Sequence, residues 1–205
     1  MSYEPVADRD LVAVVTFLEM KSPPTPGDAE STLSLRRIER PDAESYRALF
    51  RLVGAKWLWF SRLLMADTEL LGIITDPGVE LYAVSNEDGR DVGLLELDCR
   101  QAGGCELAFV GLVPELSGQG HGRWLLQEAL RLAWRDGVQR VHVHTCSLDH
   151  PAALSAYHRA GFTAYKRAIE RFPDPRLLGV LPLDCAPQVP LLGTETVASR
   201  PASCA

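Results

Sequence analysis

Long apolar runs are missing from this sequence. No stretch approaches the roughly 18 apolar residues that suggest a membrane-spanning helix, and Met1 to Asp10 carries acids and a proline where a secretory leader has a basic end and an apolar core. Paired cysteines are missing too. Cys99, Cys105, Cys146, Cys185 and Cys204 are an odd number with no C-x-x-C spacing, which argues against a disulfide scaffold or a zinc finger. Positive charge is short: 21 Lys and Arg against 27 Asp and Glu give a formal net charge of -6. Nothing therefore draws the whole chain to phosphate backbones or acidic membranes. These absences point to a cytoplasmic protein with neither nucleic acid nor membrane as its partner. What is present excludes disorder, because 46% hydrophobic residues in 205 can bury a core of one domain with appendages.

The apolar pattern divides the chain. Leu11 to Met20, rich in Val and Leu, reads as a largely buried strand, and three prolines and a glycine between Lys21 and Gly27 end it. Thr32 to Ile38 is expected to resume or pair with that strand. Tyr46, Leu49, Phe50 and Val53 have helical spacing behind Asp42 and Glu44, with Gly54 as the stop, and a second helical pattern covers Leu58 to Ile74. Val79 to Ser85, Val92 to Cys99 and Cys105 to Val113, separated by Asn86 to Gly89 and Gly103-Gly104, predict an antiparallel meander. Leu125, Leu126, Ala129, Leu130 and Ala133 mark one face of a helix from Gly120 to Arg135, and the strand Arg140 to Cys146 after it should run parallel to its predecessor. Asp149 or His150 can cap another helix, with Pro151 in its first turn and Gly161 at its left-handed end, before a last strand Phe162 to Glu170. Six prolines from Pro173 to Pro201 make the remainder irregular. The division expected is a domain over residues 1–172, with its core at 79–172, and an extension over 173–205.

Between a predicted strand and an amphipathic helix stands Val113-Pro114-Glu115-Leu116-Ser117-Gly118-Gln119-Gly120-His121-Gly122-Arg123. Small residues let the backbone turn sharply and present several N–H groups to one concavity, and a helix start adds unsatisfied N–H groups and the positive end of its dipole. A pyrophosphate is a natural occupant. The third glycine of G-x-G-x-x-G is absent, as are the lysine and hydroxyl of a P-loop, so a nucleotide-bearing acyl carrier fits better than NAD or ATP.

Here the sequence resembles the GNAT superfamily of acyl-CoA-dependent N-acetyltransferases. Ser117-Gly118-Gln119-Gly120-His121-Gly122 is similar to its Q/R-x-x-G-x-G/A signature, with Ser117 in place of Gln or Arg. Ala153-Leu154-Ser155-Ala156-Tyr157-His158-Arg159-Ala160-Gly161-Phe162 resembles its A-x-x-x-Y-x-x-x-G-F helix and turn. Two motifs in order, across Val79 to Glu170, are far more specific than either alone. The resemblance implies an α/β fold with a central mixed, splayed, mostly antiparallel sheet flanked by helices on both faces. It also implies acetyl-CoA as co-substrate, held by Ser117 to Arg123, with Leu112 and Val113 alongside the pantetheine arm.

Attack on a thioester needs a neutral amine, a stabilised oxyanion and a proton for the departing thiolate. By resemblance Tyr157 is the proton donor. Glu106 and Glu96, on predicted strands, are the candidate bases, with Glu106 favoured because its strand would carry the CoA. The reaction expected is transfer of an acetyl group to a primary amine of a small molecule; a sensor that binds acyl-CoA without turnover is the alternative, and an unrelated nucleotide-binding protein ranks last. His142 and His144 alternate on a strand near Cys146 and His150, yet no carboxylate completes a known ligand pattern, so no metal is expected. The resemblance also implies that Trp57, Trp59 and Phe60 lie in the segment bordering the acceptor pocket, where they suit core packing or an apolar or aromatic amine. Composition leaves monomer and homodimer both open, along with the acceptor's identity.

Overall fold

The computed structural model describes residues 2–25 and 27–193. Pro201 and Cys204, named above, lie outside the described residues.

The Val-rich segment Asp10–Met20 forms β1, and its middle is buried on both sides, Ala13 and Val15 on one, Thr16 and Leu18 on the other. Its position explains this. β1 lies between β6 (Arg140–Cys146) and β7 (Thr163–Pro173) and is antiparallel to both, so the strand that opens the chain is bracketed by the two that close the domain. The expected pairing of β1 with the segment after the prolines is not made. β2 (Ser34–Arg37) instead pairs with β3 (Val79–Ser85) at the far edge of the sheet. Prolines cannot supply the N–H groups of a tight hairpin, and the chain beyond them follows α4 (His121–Ala133). Ala29 N donates to Gln127 Oε1 at 2.9 Å, and the Ser31 hydroxyl meets His121 Nδ1 at 2.8 Å.

The meander is as expected: β3, β4 (Asp91–Asp98) and β5 (Gly104–Leu112) pair antiparallel in sequence order. The turn into β5 brings Cys99 and Cys105 together as a disulfide, a single clip that the odd cysteine count did not suggest. Strand alternation then serves two cores. Leu81, Ala83 and Leu94 face α1 (Ala43–Gly54) and α3 (Asp67–Ile74), whereas Leu95, Leu97 and Leu107 face α4 with Leu125, Leu126 and Ala129. Helices therefore cover both faces of a seven-stranded mixed sheet, ordered β2-β3-β4-β5-β6-β1-β7. Among the described residues no helix is long and apolar enough to cross a membrane.

Asp42 caps α1 by accepting from Ser45 N at 2.8 Å. The single helix expected over Leu58 to Ile74 is broken into a 3-10 turn (Ala55–Trp57), a short α2 (Ser61–Leu64) and α3. The break begins where Trp59 folds back on Gly54. A Cβ on Gly54 would lie 2.5 Å from the Trp59 side chain, and Leu58 takes a left-handed φ of 57° to make the reversal. α5 (Ala153–Arg159) starts later than the cap signals suggest, because Asp149 is engaged elsewhere. Gly161 ends it at φ 104°.

Beyond β7 the chain crosses its own domain. Buried Arg176 is paired with Asp174 and donates to the carbonyls of Ala186 and Val189, while Leu181 and Ala186 pack on Leu58. Gln188 Nε2 donates to Lys56 O at 2.6 Å, fastening this extension over the turn that precedes α2.

Candidate active site

Two register features open the centre of the sheet. β5 and β6 run parallel, but their pairing ends at Glu106 opposite His142. Just beyond, Glu96 faces Phe109 while Leu97 faces Leu107, so Ala108 is a bulge residue that turns β5 away from its neighbour. The gap widens into a cleft of about 1490 Å³. That exceeds the ~300–1,000 Å³ common for single small-ligand sites and suits two substrates.

One wall is main chain. Val113 N donates to Val92 O at 2.8 Å, so that N–H faces β4. Successive residues of an antiparallel strand turn their backbone groups to opposite sides, which leaves the N–H and C=O of Leu112 and Val110 facing the gap. Of the two strand residues expected beside the pantetheine arm, Leu112 is so oriented and Val113 is not. Val110 was not anticipated, because the register with β4 decides which residues face outward.

The glycine turn closes the mouth. Gly118 and Gly120 have φ of 80° and 88°, the left-handed region that glycine enters freely. From Gly118 to Gly122, five successive N–H groups have no acceptor among the described residues, and they sit at the N-terminus of α4. A Cβ built on Gly118, Gly120 or Gly122 would meet nothing within 4 Å, so the turn leaves room for a bulky anion. Ser117 and Arg123 line the cleft beside it, and Arg123 is largely exposed, 3.7 Å from Asp28. The Gln119 and His121 side chains are turned to other work: Gln119 donates to Glu115 O and His121 meets Ser31. Each contributes an N–H only.

Tyr157 stands on α5 across the cleft, its ring edge-on to Phe162 at 5.8 Å. Burial, with the charge of Asp149 nearby, pushes its ionisation well above the ordinary phenol range. The phenol is thereby held neutral.

The candidate carboxylates part company. Glu96 is fully buried away from the cleft, accepting from the Tyr46 hydroxyl and ion-paired with Arg62. Both its oxygens are committed to fastening α1 and α2 to β4, which removes it as a base. Glu106 accepts from His144 Nδ1 at 3.1 Å, and this bond holds its carboxyl below the usual range. His144, not Glu106, lines the cleft. His144 was weighed in the sequence only as a metal ligand; the signal that finds it is the parallel pairing of Glu106 with His142, which sets the second histidine one step into the gap.

Sequence and fold now meet. The family model of the acetyltransferase (GNAT) family matches residues 37–162. The chain belongs to the GNAT acetyltransferase family. A GCN5-related N-acetyltransferase from Sphaerobacter thermophilus is 22% identical, with a TM-score of 0.59 over 79% of this chain and 52% of that one. This chain thus spans about half the length of the Sphaerobacter protein. A spermidine N-acetyltransferase from Vibrio cholerae, solved with CoA and spermine, is 20% identical with a TM-score of 0.54, covering 73% of this chain and 99% of that one. No curated protein matches the sequence.

The far end of the GNAT cleft is aromatic. Trp57 meets His150 edge-on at 5.0 Å, Phe60 stacks on Phe172 at 4.7 Å, and Trp59 packs between Phe50 and Phe109 while its indole N–H reaches Asp149 Oδ1 at 3.3 Å. Asp149 also accepts from the Thr145 hydroxyl and Cys146 N, so it anchors the loop after β6. Cys146 lines the same end, its thiol pushed up to about 11 chiefly by burial, which keeps it protonated and unreactive. Glu170 of β7 completes the rim.

Proposed function

We propose that this protein transfers an acetyl group from acetyl-CoA to a primary amine by direct attack in a ternary complex. One observation carries the reading: five N–H groups at the start of α4 that have no acceptor among the described residues, at the mouth of a cleft opened by the splay of β5 from β6. A run of N–H groups on a helix dipole suits a pyrophosphate, and three glycines without Cβ neighbours leave it room. The residues present therefore fit acetyl-CoA as substrate, with Ser117 to Arg123 as cradle and Leu112 and Val110 offering strand-like hydrogen bonds to the pantetheine arm.

The division of labour follows from the walls. An outward N–H of β5 can polarise the thioester carbonyl as charge develops on its oxygen. The Tyr157 phenol, kept neutral by burial, supplies the proton that the departing sulfur takes. Trp57, Phe60 and Phe172 shape the acceptor end, and Glu170 gives it negative charge. An amine carrying an apolar or aromatic group fits such an end; a polyamine of the kind bound by the Vibrio relative is the other acceptor to try.

The test is acetyl-CoA binding by calorimetry, followed by thiol release against amines that include 2-phenylethylamine and spermidine. Binding with turnover is expected. Tyr157→Phe should then lower kcat about 100-fold with acetyl-CoA affinity unchanged. An undiminished kcat would remove the tyrosine from the chemistry, and absence of binding would remove acetyl transfer itself.

A further inference from the structure

The reaction as described still lacks a proton acceptor. A primary amine reaches the cleft as an ammonium ion and cannot attack until it loses a proton. Of the two carboxylates that the strands offered, Glu96 is sealed under α1 and α2, and Glu106 turns its carboxylate to an imidazole. That imidazole lines the cleft at the level where β5 and β6 part, one step beyond the last paired residues, Glu106 and His142.

We propose that His144 is the base that takes the proton of the acceptor ammonium, and that Glu106 acts through it as a positioning residue. The inference rests on the acetyl-transfer reading above. Its geometry is that of an imidazole oriented from behind by a carboxylate. An ionised carboxylate only accepts, so the 3.1 Å bond from Nδ1 to Glu106 Oε1 fixes the proton on Nδ1 and leaves the Nε2 lone pair as the ring's only basic site. The Phe17 ring, 5.8 Å from the imidazole, packs against it from β1. His144 is half exposed at the cleft while Glu106 is the more covered of the two, the arrangement expected when one group meets substrate and the other supports it.

The charges around His144 come from every neighbouring element. Glu106 faces it from β5, His142 shares its strand and face, Asp149 follows β6, Glu170 stands on β7, and the Lys166 ammonium lies over Phe17. The hydrogen bond to Glu106 is the largest influence and raises the imidazole's pKa, with Asp149 and Glu170 acting in the same direction. His142, by contrast, is depressed by burial. A raised basicity strengthens the proton acceptor, and carboxylates on the same rim favour the incoming ammonium.

The step balances without a further reactant. His144 Nε2 takes one proton from the ammonium; the freed amine nitrogen forms the bond to the acetyl carbon as the carbon–sulfur bond breaks. The Tyr157 phenol protonates the sulfur, and the amide nitrogen's surplus proton restores the phenol. His144 then releases its proton to solvent, so that ammonium and acetyl-CoA give amide, CoA thiol and one proton.

The test uses the full chain, acetyl-CoA and whichever amine of the panel gives the fastest thiol release, with kcat and kcat/KM measured against pH. In the wild type, activity should rise with pH as His144 loses its proton. Glu106→Gln keeps a hydrogen-bond acceptor but removes the charge, so this limb should move to lower pH. His144→Gln should abolish that limb and lower kcat about 100-fold, with KM and acetyl-CoA affinity within a few-fold of the wild type. His144→Asn serves as a second variant should the first fail to fold. A limb that stays in place in a His144 variant that still binds acetyl-CoA overturns the assignment of the base alone. A wild type that binds acetyl-CoA but acetylates no amine overturns both this inference and the function beneath it.

Discussion

The two ends of the cleft are made of different material. The end at the start of α4 is main chain from one continuous stretch, Gly118 to Gly122, whose N–H groups have no acceptor among the described residues. The opposite end is assembled from side chains that stand far apart in sequence: Trp57 and Phe60 from the turn before α2, His144 from β6, Glu170 and Phe172 from β7. A backbone cradle works because side chains are missing, and under the proposed function it would meet what all acyl-CoA molecules share. A cage of side chains recognises one kind of acceptor, and a single substitution can change it.

The sharpest way to break this comparison is to fill the cradle. Gly122 has open space where a Cβ would stand, and its φ lies outside the left-handed region. Gly122→Glu therefore fits the fold, and an acid in the first turn of α4 even complements the helix dipole, by ~0.3–1 kcal/mol. The same carboxylate would occupy the proposed phosphate position. The melting temperature without ligand should stay the same or rise, while acetyl-CoA affinity falls more than about 100-fold, the ~3 kcal/mol scale of a charge-assisted contact replaced by repulsion. Calorimetry and a melting curve on one preparation check both halves. Unchanged affinity would place the phosphates elsewhere.

The next test sharpens the acceptor side by separating its floor from its working groups. Arg62 is the ionic partner of buried Glu96, and its guanidinium also lies over Phe109, which lines the cleft. Arg62→Ala would leave a carboxylate buried with only the Tyr46 hydroxyl for company, a change that costs about 3–5 kcal/mol in comparable sites. Denaturant unfolding should register that loss, with acetyl-CoA affinity in the folded fraction unaltered. A stable Arg62→Ala variant would show that Glu96 is less dependent on its partner than the geometry implies and would return it to the list of bases.

The same contrast explains what could be read in advance. The glycine turn, the meander, the parallel crossover and the Tyr157 helix all rest on local signals, and each is found where the sequence indicates, except that α5 begins at Ala153, beyond the expected caps Asp149 and His150. The readings that changed depend on contacts between parts of the chain that local pattern does not announce, such as Trp59 folding back on Gly54 to break the helix expected over Leu58 to Ile74, and the register of distant strands. Nothing near Val15 announces that it will lie opposite both Cys146 and Ala168, so β1 was given the wrong neighbour. Glu96 and Glu106 share one face of the sheet, since Glu106 lies opposite Asp98, yet α1 and α2 bring Tyr46 and Arg62 onto Glu96 whereas β6 brings His144 beside Glu106. Two carboxylates on one face still meet different partners, because the helices and strands that cover them come from distant parts of the chain.

The smallest expected effect bears on how completely the donor end is backbone. Ser117 stands where the family signature has Gln or Arg, in extended conformation on the cleft wall, with its own N–H already bonded to Pro114 O. Ser117→Arg would add a guanidinium at the rim of the phosphate position. Such a charge is solvated and screened, and its long side chain loses rotamer freedom on binding, so its contribution is about that of an exposed ion pair, 0.2–1 kcal/mol. Acetyl-CoA affinity should tighten by a factor of about 2–5, and the gain should vanish at high salt, where the N–H cradle continues to bind. A tightening of more than about 30-fold, persisting in salt, would mean that a side chain can dominate this end as it does the other, and the distinction between the two would fail.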